Sequence, residues 1–177
     1  MKTLLTLVLL TTCSAAVAQT PPVDQATAPG CGKVEIKFDV KTDASQHPFP
    51  KPDPGKALIF VLQDDTNFLS RPRPTTRFSL DGTWMGATHS SSYFYITIDP
   101  GEHHLCAEWQ SFVGVTTGQT SAAAGFTAAP GGSYFFVVRN HAREENIPAG
   151  MKLRPLDPDE AQLLMSKYAI SISRAKK

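Results

Sequence analysis

The sequence predicts a mostly β protein: an antiparallel β-sandwich carrying one C-terminal helix. Three observations lead there. Short apolar stretches recur between residues 77 and 139, separated at regular spacing by turn residues, which favours a sandwich or barrel over an α/β sheet. Two runs, residues 56–62 (KALIFVL) and 133–139 (SYFFVVR), are almost continuously apolar, as suits strands covered on both faces. Past residue 156 the apolar period lengthens from two to that of a helix.

The elements follow in order. Residues 19–30 (QTPPVDQATAPG) have no periodicity and read as a flexible leader. Val34, Ile36, Phe38 and Val40 alternate with Glu35, Lys37 and Asp39, giving a strand with one buried face. Pro48, Pro50, Pro52 and Pro54 then withhold backbone donors, so residues 43–55 form an extended loop. After the 56–62 strand, residues 63–76 are polar and read as a long loop. Asp81-Gly82 lies between Phe78/Leu80 and Trp84 and signals a two-residue hairpin, whose turn needs positive φ at both positions. Residues 93–98 (YFYITI) make a strand, and Asp99-Pro100-Gly101 is expected to turn it back against the strand of residues 103–109. Leu105, Ala107 and Trp109 share one face of that strand. Residues 122–128 give a further strand with Phe126 inward, and Pro130-Gly131-Gly132 leads into residues 133–139.

The C-terminal helix has a start signal: Asp157 as N-cap, Pro158 at the first position and Glu160 three residues after the cap. Ala161, Leu164, Met165, Tyr168, Ala169 and Ile172 would share one helical face that packs on the sheet. Residues 169–173 alternate as well and fit a short strand equally.

The first residues have the three parts of a secretory signal: Lys2, the apolar stretch from Leu4 to Leu10, and Ala16-Val17-Ala18 before Gln19. Cleavage is expected after Ala18, giving a signal peptide (1–18), a leader (19–30) and a single β-rich domain (31–174). The rival reading places a lipid on Cys13, although Thr12 is a poor residue before such a site. The apolar stretch is shorter than the roughly 20 residues a membrane span needs, and no later segment supplies one. The chain has 17 basic and 16 acidic residues, evenly balanced once Lys2 is removed. That balance argues against a nucleic-acid or anionic-membrane partner. With Cys13 gone, Cys31 and Cys106 remain as an even pair in an oxidising compartment. A disulfide between them would contribute about 3–4 kcal/mol; the other possibility is two unpaired thiols.

Gly55-Lys56-Ala57-Leu58-Ile59-Phe60-Val61, Leu80-Asp81-Gly82 with Gly86, Tyr93-Phe94, Asp99-Pro100-Gly101-Glu102-His103, Gly132-Ser133-Tyr134-Phe135 and Leu156 before Asp159-Glu160-Ala161 occur in that order. In this the chain resembles a bacterial envelope family, the domain of unknown function 2846. A similar order occurs in small immunoglobulin-like repeats of bacterial surface proteins. The resemblance covers roughly residues 52–165. It implies an immunoglobulin-like β-sandwich and an exported or lipid-anchored envelope location, and it carries over no catalytic residues. The proline-rich front and the long 63–76 loop depart from it.

Chemistry-bearing motifs are sparse. G-x-S-x-G, H-E-x-x-H, a P-loop and a strand followed by G-x-G-x-x-G are absent from the sequence. Glu102-His103-His104 suggests a metal, but neighbours on a strand point to opposite faces. A site would need His89 or His141 brought alongside by the fold, since zinc takes three or four converging ligands. Ser90, Ser91 and Ser92 beside His89 read as a polar loop rather than a triad. If Phe94, Ile96 and Ile98 face the core, then Tyr93, Tyr95 and Thr97 face outward, and Tyr93 and Tyr95 become a candidate surface for a glycan or protein partner. The alternative is that the C-terminal helix covers this row. The resulting expectation is a non-catalytic envelope module, binding or structural, with no catalytic residue, metal or cofactor. Its partner would be an envelope protein or glycan. The competing class is an enzyme or metal-binding protein using loop-borne His and acidic residues.

Overall fold

A computed structural model describes residues 31–32, 36–68, 72–110 and 120–176. The expected signal, its cleavage point, Cys13 and the leader lie outside the described residues. Among the described residues, ten strands and one helix follow in chain order: β1 (Phe38–Asp43), β2 (Ala57–Asp64), β3 (Thr75–Leu80), β4 (Thr83–His89), β5 (Ser92–Ile98), β6 (Gly101–Trp109), β7 (Ser121–Ala128), β8 (Ser133–His141), β9 (Gly150–Pro155), α1 (Pro158–Met165) and β10 (Ala169–Ala175). They form a six-stranded sheet, β1-β10-β5-β2-β8-β9, and a four-stranded sheet, β4-β3-β6-β7. The mostly β sandwich with one C-terminal helix is what the sequence predicts.

The larger sheet corrects one detail. It is mixed, because β2 pairs with β8 and β10 with β5 in parallel. Parallel strands are normally covered on both faces, and the alternation along β2 and β8 provides for this. Ala57, Ile59, Val61, Phe136 and Val138 face the smaller sheet and meet Phe78, Leu105 and Trp109. Leu58, Phe60, Leu62, Phe135 and Val137 face the other way, onto Ala161, Met165 and Tyr168. The two continuous apolar runs are therefore the shared middle layer of three: small sheet, large sheet, helix.

The Asp81-Gly82 hairpin forms as expected. Leu80 pairs with Thr83, and both turn residues have positive φ, 51° and 79°. A Cβ on Gly82 would meet open space, so a side chain there is opposed by backbone conformation alone. Gly82→Val is expected to lower stability by about 1–2 kcal/mol, more than Gly82→Ala, in chemical denaturation. An unchanged midpoint for Gly82→Val would show that the turn does not constrain the strands.

Asp99-Pro100-Gly101 differs from expectation. It does not make a hairpin, because β5 lies in the six-stranded sheet and β6 in the four-stranded sheet. The turn is a corner that carries the chain between layers, with Gly101 at φ 141°. Strands before and after a tight turn need not pair when each has a better partner: β5 sits between β2 and β10, and β6 between β3 and β7.

At the front, β1 starts at Phe38, later than the alternation suggests, and Val34 and Glu35 lie outside the described residues. The Ile36 carbonyl accepts a hydrogen bond from Arg77 Nη1 at 2.7 Å, so the chain here is still crossing the outside of the smaller sheet. Phe38 is then held through both backbone groups by the Gln110 amide, each bond 2.6 Å. Cys31 and Cys106 are joined in a disulfide, with Cα atoms 5.3 Å apart, within the range such bridges span. The bridge lies on the outer face of β6, opposite Leu105, Ala107 and Trp109.

At the back, Asp157 caps α1 by accepting the amides of Asp159 and Glu160. The helix stops at Met165, and residues 169–175 take the strand alternative. β10 runs antiparallel to β1, and its Ser171 hydroxyl donates to the Ala87 carbonyl at 2.8 Å. Ile172 is accordingly half exposed instead of lying on a helical stripe. β9, with Met151 buried against the sandwich core, completes the sheet edge beside β8.

Candidate functional site

Among the described residues, buried polar groups gather where β2 and β8 both end: Gln63, Asp64, Asp65 and Asn140. Register places Asp64 opposite Arg139, and strand alternation continues past the apolar runs. Gln63 follows Val61 toward the smaller sheet, and Asp64 follows Leu62 toward the helix. Asn140 follows Val138 and Arg139 follows Val137. Polar residues on two strands are thus sorted into two networks, one on each face of the sheet.

The network between the sheets is directional. Trp109 Nε1 donates to Asn140 Oδ1 at 2.7 Å, and Asn140 Nδ2 donates to Asp65 Oδ1 at 2.8 Å. From the other side, Thr88 Oγ1 donates to Gln63 Oε1 at 2.7 Å, and Gln63 Nε2 donates to Asp65 Oδ2 at 2.6 Å. The indole can only donate, which orients the Asn140 amide and leaves Asp65 as acceptor from both directions. Asp65 is fully buried. Burial pushes its carboxyl above the usual range, and the Asn140 and Gln63 donors only partly oppose this.

The helix-side network centres on Asp64. Its Oδ1 accepts from Tyr168 Oη at 2.9 Å and Thr66 Oγ1 at 2.6 Å, and its Oδ2 from Arg139 Nε at 2.9 Å. Burial alone would raise this carboxyl, but the Thr66, Arg139 and Tyr168 donors outweigh it and hold Asp64 below its ordinary value. Arg139 also reaches Glu160 at 2.9 Å, and Arg154 reaches Glu160 at 3.1 Å. Glu160 therefore ties the helix to β8 and β9 instead of closing a capping box. Beside this cluster a cavity of about 340 Å³ opens, lined by Asp64, Asn67, Arg139, Asn140, His141, Glu144, Ile147 and Lys152. Among the described residues, the side chains of His141 and Lys152 are engaged in no hydrogen bond or ion pair.

The residues singled out from the sequence are placed differently. Tyr93 is completely buried in the layer beneath α1, its hydroxyl donating to the Pro48 carbonyl at 3.2 Å. Burial, with Tyr95 alongside, pushes its phenol up to about 12. Tyr95 is half-buried, 5.5 Å from the Phe60 ring, and Phe49 from the proline-rich loop stacks over Phe60 and Phe135. Tyr93 and Tyr95 consequently form no exposed aromatic row, because helix and loop cover that face. His103 binds Asp81 and the Asp99 carbonyl at the turn end. His141 lies at the opposite end, beyond Trp109, and five residues of β6 lie between His103 and Trp109, a span of about 20 Å. His89 bonds Thr75 Oγ1 at 3.0 Å. Among the described residues no three His, Cys, Asp or Glu side chains gather to hold a metal. Ser90 and Ser92 belong to a turn, with Ser90 at φ 61° accepting from Arg73 and the Ser92 hydroxyl donating to the His89 carbonyl. No helix among the described residues is long and apolar enough to cross a membrane.

The polar cluster had a sequence signal that the loop reading passed over. Each continuous apolar run ends in consecutive polar residues, Gln63-Asp64-Asp65 and Arg139-Asn140-His141. Two central strands ending alike mark a common rim.

Comparison with protein-family profiles, curated proteins and solved structures gives no match.

Proposed function

We propose that this chain is an exported envelope protein acting as a non-catalytic binding module. Its ligand surface is the cavity at the ends of β2 and β8, and its partner is an envelope protein or glycan. One contrast carries the reading. The buried carboxylates beside the cavity are saturated by internal donors, Asp64 by Thr66, Arg139 and Tyr168, and Asp65 by Gln63 and Asn140. Among the described residues, Lys152 and His141 at the rim keep their polar atoms uncommitted. A general base is held in place by an orienting partner, and among the described residues His141 has none. A binding rim needs available donors on a rigid floor. The signal-like front, the disulfide and the resemblance to the envelope family support export.

The test is recovery of a defined protein or glycan from native envelope by the tagged, exported protein, compared with a Lys152→Glu/His141→Ala variant. Retention is expected to fall at least about tenfold, a loss near 1.4 kcal/mol, with the melting temperature unchanged because both side chains lack internal partners. Retention insensitive to the double variant would remove the cavity from the reading. A substrate turnover abolished by His141→Ala, with the fold intact, would replace it with an enzyme.

A further inference from the structure

At the opposite end of the sandwich, two turns from different sheets approach one imidazole. His103 sits near the start of β6 and points inward, on the same face as Leu105, with its ring 5.5 Å from Phe126. Its Nδ1 is 2.8 Å from Asp81 Oδ2, in the β3–β4 hairpin of the smaller sheet. Its Nε2 is 2.8 Å from the backbone oxygen of Asp99, in the corner leaving the larger sheet. Both partners are acceptors, so both ring nitrogens must carry hydrogen for the two contacts to coexist, and only the imidazolium has two N–H groups. We propose that His103, as an imidazolium, clasps the hairpin to the sheet-to-sheet corner and releases one of them when it becomes neutral.

The surroundings favour a clasp with two discrete states. Asp81 is fixed independently, because its Oδ1 accepts the His104 amide at 2.8 Å and its own amide donates to the His104 carbonyl at 3.0 Å. It therefore cannot swing away to relieve a nitrogen lone pair facing its carboxylate. The His103 side chain is 11 % exposed and that of Asp81 48 %. The charged groups near the ring are Asp81 and the Asp99 carboxylate, the latter bound to Lys56 from the chain entering β2. His104 and Glu102 on β6 point to the other face by alternation, and β7 presents only Phe126. Burial lowers the tendency of His103 to be charged, but the Asp81 hydrogen bond and the Asp99 carbonyl outweigh it and raise its proton affinity above the ordinary value of 6.5. A raised folded-state value means that the clasp contributes fully below about pH 6.5. Its contribution is lost as pH rises through the higher folded value. Beside the clasp is a cavity of about 330 Å³ whose lining mixes Leu80, Met85 and Ile96 with Asp81, Asp99 and His103.

The test uses the oxidised, exported protein between pH 5 and 9. In the wild type, the His103 ring is expected to titrate above 6.5 by NMR. Amide exchange at residues 81–83 or at residues 99 and 101–103, according to which partner is released, is expected to accelerate about tenfold across that titration once corrected for intrinsic pH dependence. The β2 and β8 core should stay protected. His103→Gln, which is neutral throughout, should show the fast local exchange already at pH 5. Asp81→Asn, which keeps the turn residue polar, should shift the His103 titration downward. A His103 that titrates at or below 6.5 in the wild type overturns the proposal without reference to any variant. So does local exchange that does not change across the titration.

Discussion

Replacing Cys31 and Cys106 together with serine is expected to lower stability by about 4 kcal/mol. The bridge joins residues 75 apart in sequence, so its absence frees a loop that takes in the whole of β1 to β5. The folded state loses more than a tether. Cys31 lies over the four-stranded sheet, where its carbonyl accepts from the buried Ser79 hydroxyl. Further along the same segment, Ile36 accepts from Arg77. Arg77 is itself buried on this outer face, 3.2 Å from Glu108 and stacked over the Trp84 ring. Without the bridge, Cys31 and Ile36 keep to this sheet the contacts of their carbonyls with Ser79 and Arg77. Urea denaturation of oxidised, reduced and doubly substituted protein would measure the effect. A difference below about 1 kcal/mol would mean that the segment docks without its covalent link.

The second large effect is expected at Asp65. Asp65→Asn should cost about 2–3 kcal/mol at neutral pH, because its amide nitrogen must face a donor, either Asn140 Nδ2 or Gln63 Nε2, in a site with no water access. Flipping Asn140 does not help, since that turns its nitrogen toward the Trp109 indole N–H, and flipping Gln63 turns its oxygen toward the Pro74 carbonyl. The reciprocal change supplies a stringent control. In Asp65→Asn/Asn140→Asp, the indole donates to the new carboxylate at position 140, which also accepts from the amide at position 65, and Gln63 still finds an acceptor. Most of the lost stability should return, with a coupling of at least about 1 kcal/mol in the double-mutant cycle. Purely additive losses would show that hydrogen-bond direction is not what holds this cluster. The pH dependence has opposite signs at the two neighbouring aspartates. Asp65, raised by burial, weakens the fold as pH climbs from its unfolded value through its higher folded one. Asp64, held low by its donors, contributes stability that is lost as pH falls through its folded value.

The same aspartates show where sequence reading ends. Gln63, Asp64 and Asp65 look like the start of a polar loop when read along the chain. Each has a partner far away as well as a local one: Thr88 is 25 residues from Gln63, Asn140 is 75 residues from Asp65, and Tyr168 is 104 residues from Asp64. The polar ends of the two apolar runs mark a rim, but no short window distinguishes the Asp that stays solvated there from the one that terminates a buried network. Tyr93 shows the reverse error. Alternation correctly puts it on the face opposite Phe94, but whether that face meets water depends on the helix and the Phe49 loop lying over it.

What the sequence determined by itself is local: apolar period, turn chemistry and capping act between residues a few positions apart, so they can be read from neighbours. Asp81-Gly82 had to turn with positive φ, Asp157 had to start a helix, and residues 56–62 and 133–139 had to be strands buried on both faces. The tertiary structure alone decided the parallel pairing of β2 with β8, the use of Asp99-Pro100-Gly101 as a corner between sheets, and the strand fate of residues 169–175. It also decided which polar side chains converge. Those choices depend on which distant strand offers the better neighbour once both faces must be covered, and that competition involves the whole chain at once.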